Sequence, residues 1–174
     1  MQEIEVKILE IDKERIDDKL RTLGARKTFD GIVTAVYYDF PDGYLEKQDK
    51  TLRLRKKESV IETQTEFTSK TPVSRKKAKI MTEHEVCVDD YDKMKKLLES
   101  IGFIEYKTLI KQRISYSIGK VHFEIDTLPN IPTFLEIEAP DIKTLEKQVT
   151  LLGYKMKDAK PWSGKDVMKY YGKK

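Results

Sequence analysis

Seven segments of this chain alternate along a strand, six of them placing charges two residues apart, mostly with aliphatic residues between them. The first reads Glu3-Ile4-Glu5-Val6-Lys7-Ile8, and the pattern returns at Leu52-Arg53-Leu54-Arg55, Thr68-Ser69-Lys70 and Glu83-His84-Glu85-Val86. It returns again at Lys111-Gln112-Arg113-Ile114, Phe123-Glu124-Ile125-Asp126 and Leu135-Glu136-Ile137-Glu138. In a strand successive side chains point to opposite faces, so each segment carries charge on one face and apolar surface on the other. The ordinary reading is a half-buried sheet with a solvated polar face. Seven such segments resist it, because like charges close together in a sheet repel and a solvent face mixes residue types more freely. Acidic pairs (Glu3/Glu5, Glu83/Glu85, Glu124/Asp126, Glu136/Glu138) stand beside basic pairs (Arg53/Arg55, Lys111/Arg113). Same-sign groups held together imply a counter-charge that arrives from outside the chain.

The residue types indicate what arrives. Carboxylates without histidine or cysteine partners suit a hard, oxygen-seeking ion such as Mg²⁺ or Mn²⁺. Arginine and lysine suit phosphate oxygens, the first as a fork and the second as a point charge. Metal beside a basic clamp is what phosphoryl-transfer chemistry needs. A closed barrel of about eight strands could hold both inside, with its apolar side chains outward under helices.

Three helices are predicted between the strands: from Asp12 to about Leu23, from Asp90 or Asp92 to Ile101, and from Asp141 to Leu152. Each opens on an aspartate cap and ends in a glycine followed by an apolar residue, the left-handed C-cap signature. A short fourth helix starts at Ser163. Strands are expected over 2–10, 31–39, 50–57, 60–70, 79–88, 107–117, 119–127 and 133–139, giving an α+β class. At 174 residues the chain has the length of one domain spanning 1–174. Cys87 is the single cysteine, so no internal disulfide forms, and with no long apolar run a soluble cytoplasmic protein is expected. The net charge of +4 favours anionic partners only weakly. Stacking aromatics do not interleave the basic segments, which argues against nucleic acid. His84 is read as pointing away from the charged rows in a structural role, and His122 as a packing residue opposed to the Glu124/Asp126 face. Trp162 is read as an anchor for the last helix, with a contact to a nucleobase as its other option. The run Arg75-Lys76-Lys77-Ala78-Lys79 is read as a solvated hairpin loop, and Lys173-Lys174 as a frayed tail.

The ordered set resembles the CYTH superfamily, the triphosphate tunnel metalloenzymes. Glu3-x-Glu5-x-Lys7 is similar to its N-terminal signature. Tyr38-Asp39, Arg53-x-Arg55, Thr68-x-Lys70, Glu83-x-Glu85, Lys111-x-Arg113, Asp126 and Glu136-x-Glu138 follow in family order across essentially the whole chain. The resemblance implies an antiparallel eight-stranded tunnel with flanking helices and a triphosphate inside. It implies Glu3, Glu5, Glu136, Glu138 and Asp126 as ligands of one or two Mg²⁺ or Mn²⁺ ions, and Lys7, Arg53, Arg55, Lys70, Lys111 and Arg113 as phosphate contacts. Glu3, Glu5, Lys7, Asp126 and Glu136 would form the catalytic set, and Glu83 and Glu85 would support the tunnel wall. Two departures stand out: Met81-Thr82 where the family often has a basic residue before its Glu-x-Glu pair, and a long acidic stretch over 57–66 with Glu58, Glu62 and Glu66.

Two reactions divide the family. A class IV adenylyl cyclase turns ATP into cyclic AMP and pyrophosphate, and the segment Leu128–Glu136 resembles chains of that type. A triphosphatase hydrolyses inorganic tripolyphosphate, thiamine triphosphate or a nucleoside triphosphate. A non-catalytic polyphosphate- or nucleotide-binding module is the third reading, disfavoured because an anion binder gains nothing from four glutamates facing its ligand. A homodimer would fit the family's habit.

Overall fold

The computed structural model describes residues 2–172; the expected fraying of Lys173-Lys174 lies outside them. Its elements run β1 (Gln2–Ile8), α1 (Lys13–Thr22), β2 (Arg26–Asp39), α2 (Tyr44–Lys47), β3 (Thr51–Ser59), β4 (Thr63–Ser74) and β5 (Lys79–Cys87). They continue with α3 (Tyr91–Ser100), β6 (Ile104–Ile118), β7 (Val121–Leu128), β8 (Ile131–Ala139), α4 (Ile142–Leu151) and α5 (Gly164–Tyr170). The strands close on themselves in the order β1-β5-β4-β3-β2-β6-β7-β8, the expected eight-stranded antiparallel barrel. No helix among the described residues is long and apolar enough to cross a membrane.

The helix signals behave as their chemistry predicts. Asp12, Asp90 and Asp141 each accept the backbone N–H three residues on, and Ser163 and Asp166 complete a capping box. Gly24, Gly102 and Gly153 sit at φ +77°, +95° and +89°, and the residues after them donate back to Leu20, Leu98 and Val149.

The chain forms two compact units. Among the described residues one comprises 2–30, 73–80 and 112–172. In it Ile4, Val6 and Ile8 of β1 join Ile125, Leu135 and Ile137 in one apolar cluster with α1 (Ile16, Leu20) and α4 (Leu145, Val149). The apolar face of these strands is therefore the helix-covered one, and the alternating charges occupy the other. Residues 3–8 of β1 are all buried, which can happen only when both faces of a strand are covered. The other unit comprises 31–72 and 81–111. Its smaller core gathers Val36, Tyr38 and Leu54 against Leu98 of α3.

Several boundaries differ from expectation. β2 begins at Arg26 rather than at 31, carrying polar residues that alternation could not flag. β4 runs from Thr63 through Pro72 to Ser74, because Ser59 closes the preceding turn. The Ser59 N–H donates to the Glu62 carbonyl and its Oγ accepts from the N–H groups of Ile61 and Glu62. The short helix α2 was not anticipated. It is nucleated by the Asp39 carboxylate, which accepts from the N–H groups of Phe40, Leu45 and Glu46 at 2.7–2.8 Å. Burial pushes the Asp39 carboxyl up, but these backbone donors outweigh it and hold it below the usual aspartate range.

A depressed carboxyl stabilises the fold above its unfolded pKa and loses that contribution as pH falls through the folded value. D39A is therefore expected to lower stability by about 1–2 kcal/mol at pH 7. In urea unfolding the gap to the wild type should narrow as pH drops below about 4; a gap that stays constant with pH would show that the charge is immaterial.

Candidate active site

The charged face of the first unit is built by strand register. Directly opposed residues in an antiparallel pair share a face. Lys7 lies opposite Glu136, which lies opposite Glu124, which lies opposite Ser115. One step along, Glu5 lies opposite Glu138 and Glu138 opposite His122. Arg113 lies opposite Asp126.

These rows pack into a dense ionic cluster. Lys7 Nζ sits 2.9 Å from Glu5 and 2.6 Å from Glu136, and is almost fully buried. Burial acts to lower the Lys7 pKa, yet Glu136 and Glu5 prevail and raise it well above its ordinary value. Lys79 Nζ joins Glu5 at 2.8 Å. Arg113 donates from Nε and Nη2 to the two oxygens of Asp126, both at 2.7 Å, and contacts Glu124 through Nη1. Burial opposes the guanidinium charge, while Asp126 and Glu124 hold its pKa far above the usual arginine value.

Two sets of carboxylates are close enough for one cation: Glu3, Glu5 and Glu136, and Glu124, Asp126 and Glu136. Within each, one oxygen per residue lies within 4.8 Å of the others. Trans oxygens of a Mg²⁺ ion stand about 4.2 Å apart at 2.1 Å per ligand, so small side-chain shifts suffice. The donor set is all carboxylate, which fits Mg²⁺ or Mn²⁺ and not zinc. Glu136 belongs to both sets. Glu138 belongs to neither, although it shares the face.

The second unit carries the arginine-rich face, on β3, β4 and β5. Arg53 and Arg55 lie opposite Thr68 and Glu66. Arg55 is held by Glu66 through Nε at 2.6 Å and Nη2 at 2.5 Å, and by Glu85 at 3.2 Å. The second Glu66 oxygen meets Lys57 at 3.2 Å. Burial pushes the Glu66 carboxyl up, but Arg55 and Lys57 hold it below the usual glutamate range. Thr68 donates to Glu85 at 2.9 Å, Arg53 stands 3.9 Å from Glu85, and Lys70 pairs with Glu83 at 3.2 Å. Glu83 thus sits against Lys70, and Glu85 against Arg53, Arg55 and Thr68. Tyr37 shares this neighbourhood: burial alone would raise its hydroxyl pKa, but Arg53, Lys111, Arg55 and Lys107 bring it below the ordinary tyrosine value. Lys111 is thus among the cations around Tyr37, while Arg113, two residues on, is engaged by Asp126 and Glu124.

Three sequence expectations change. Lys79 is not part of a solvated loop; it opens β5, is buried and pairs with Glu5. Arg75, also read as solvated, donates to Asp166 of α5 at 2.7 Å. His122 is exposed and lies opposite Glu138, on the face of Glu124 and Asp126. It therefore does not pack in the core, and His84 is exposed as well. Trp162 does anchor the last helix, its ring 5.2 Å from that of Tyr170. The residues the sequence reading left out of the site are Lys79, Glu124, Glu66, Tyr37 and Lys107. Counting back in twos from Glu83 through Met81 reaches Lys79, and counting back from Thr68 reaches Glu66.

The chain is similar to known proteins in sequence and in structure. A protein of Methanocaldococcus jannaschii, provisionally named an adenylate cyclase, is 28% identical over 158 residues, covering 87% of this chain and 88% of its own. The solved structure of the PH1819 protein from Pyrococcus horikoshii OT3 superposes with a TM-score of 0.80 at 26% identity, covering 97% of this chain and 98% of the other. A Hippeastrum protein, provisionally an adenylyl cyclase and described as having a dominant triphosphatase activity, gives 0.68 at 16% identity, with 99% and 97% covered. The CYTH domain matches residues 1–159. A closed barrel with helices over its apolar face, carboxylates that converge on Glu136, and this match over most of its length make the chain a member of the CYTH domain family.

Proposed function

We propose that this protein is a divalent-metal-dependent enzyme that acts on a triphosphate, as a class IV adenylyl cyclase converting ATP to cyclic AMP and pyrophosphate. The observation that carries the reading is the clustering of Glu3, Glu5 and Glu136, with one oxygen of each within 4.8 Å of the others, in a CYTH domain. The name of the Methanocaldococcus jannaschii relative supports the cyclase in particular. The assignment treats residues 1–174 as one functional domain.

In this reading Glu3, Glu5 and Glu136 hold Mg²⁺ or Mn²⁺, with Glu138 and Asp126 on the same acidic side. The ion, when bound, supplies charge neutralisation on the phosphates and a lowered pKa for the attacking oxygen. Lys7, Arg53, Arg55, Lys70, Lys111 and Arg113 contact the phosphate oxygens and orient the chain of phosphates for in-line displacement. Against burial, Glu136 and Glu5 raise the Lys7 pKa and so favour its charged form. Glu83 and Glu85 keep the lysine and arginine side chains in place. In the cyclase the ribose 3′ oxygen bonds to the α-phosphorus, its proton leaves, and the bond to pyrophosphate breaks.

Hydrolysis by a triphosphatase is the second reading, favoured by the activity described for the Hippeastrum protein. It uses the same residues with water attacking the terminal phosphorus. The test is to incubate pure protein with ATP and, separately, with inorganic tripolyphosphate, each with Mg²⁺ or Mn²⁺, and to resolve the products by ion-exchange chromatography. Cyclic AMP with pyrophosphate is the expected result. Orthophosphate without cyclic nucleotide would make the protein a triphosphatase, and no product from either would leave only a binding module.

A further inference from the structure

The stretch over 57–66 carries Glu58, Glu62 and Glu66, and the last of these touches a residue of the proposed phosphate clamp. We propose that Glu66 is a positioning residue that fixes the plane of the Arg55 guanidinium, so that Arg55 presents its Nη1 edge to a phosphate; the inference rests on the triphosphate reading above.

The geometry is asymmetric. Glu66 Oε2 takes both Nε and Nη2 of Arg55, the side-on edge of the guanidinium, at 2.6 and 2.5 Å. Its other oxygen is tied to Lys57 at 3.2 Å, so the carboxylate is anchored at both ends. Glu66 is buried, on the strand directly opposite Arg55. A buried carboxylate fixed from two sides cannot follow a guanidinium that turns, so the guanidinium stays. Glu85 is the looser partner: it reaches Nη2 at 3.2 Å, its side chain is 35% exposed, and it also accepts from Thr68. A phosphate approaching end-on would use Nη1 and share or displace Glu85 at Nη2, leaving the Glu66 contact intact. Fork recognition of phosphate requires the guanidinium plane to be set before the ligand arrives, and a carboxylate on the far edge sets it.

A carboxylate beside an anion site also repels the anion. The two effects have opposite signs, and a double-mutant cycle separates them. Binding of inorganic tripolyphosphate, measured by calorimetry in EDTA so that nothing turns over, is expected to weaken roughly tenfold in E66A. In an R55A background the same substitution should leave affinity unchanged or increase it, because only the repulsion remains to be lost. Tighter binding in E66A alone, or equal weakening in both backgrounds, would overturn the proposal. A second measurement needs no ligand. The Arg55 Nε–H resonance, assigned by comparison with R55A, should be protected from solvent exchange in the wild type and lose that protection in E66A; unchanged protection would also overturn it. If the wild type fails to bind tripolyphosphate both in EDTA and with Mn²⁺ present, while the Nε–H resonance behaves as expected, the triphosphate reading fails and the Glu66–Arg55 contact stands as structural alone.

Discussion

Replacing Glu136 with glutamine is expected to reduce metal-dependent turnover by about 1,000-fold or more while the fold persists. The magnitude follows from the several kcal/mol of transition-state stabilisation that a bound divalent ion contributes. Glu136 is the residue to change because it belongs to both carboxylate sets, so its loss weakens either placement of the ion. Glutamine keeps the shape and one acceptor oxygen but removes the charge. Lys7 would retain Glu5 at 2.9 Å, so the buried ammonium keeps a counter-ion and the barrel should keep its circular dichroism spectrum. The assay uses whichever substrate the wild type consumes, together with calorimetric titration of Mn²⁺. Turnover within about tenfold of wild type, with Mn²⁺ affinity unaltered, would remove Glu136 from the metal site.

The second large effect is on stability. R113A should destabilise the protein by about 3–5 kcal/mol, because it leaves a buried carboxylate without its counter-charge. Asp126 has no exposed surface and gives both oxygens to Arg113. The joint replacement R113M/D126L should recover most of the loss, since removing both charges removes the desolvation cost as well. Urea denaturation of the three proteins decides it. A cost under about 0.5 kcal/mol for R113A would mean that Asp126 finds another partner or a proton, and the pair would then be an incidental contact.

Much of this was legible in the sequence. The rows of alternating charge needed only a period of two, and the helix caps needed only Asp12, Asp90, Asp141 and the three glycines behind their helices. Legibility ended where register begins. Nothing in Glu66 announces that it faces Arg55, because that pairing depends on the Ser59–Glu62 turn fixing how β3 meets β4. Lys79 was hidden inside a run of cations, where alternation disappears and a loop is the natural reading. His122 is a different case: it stands two residues from Glu124, so the spacing already placed it on the charged face. The carboxylate sets could be named by type, yet that Glu136 and not Glu138 joins them is a matter of side-chain reach across β1, β7 and β8, which composition does not encode.

β1 has a consequence for how the protein can vary. Positions 4, 6 and 8 lie in the helix-covered core, and positions 3, 5 and 7 lie in the ionic cluster. A smaller residue at an even position opens a cavity, and a neutral one at position 5 or 7 strands a buried charge. Residues 3–8 therefore offer no neutral site through which a lineage could drift. Change there is expected to need paired substitutions in which a partner on β5 or β8 moves together with β1, whereas the exposed hairpin tips should accept single ones.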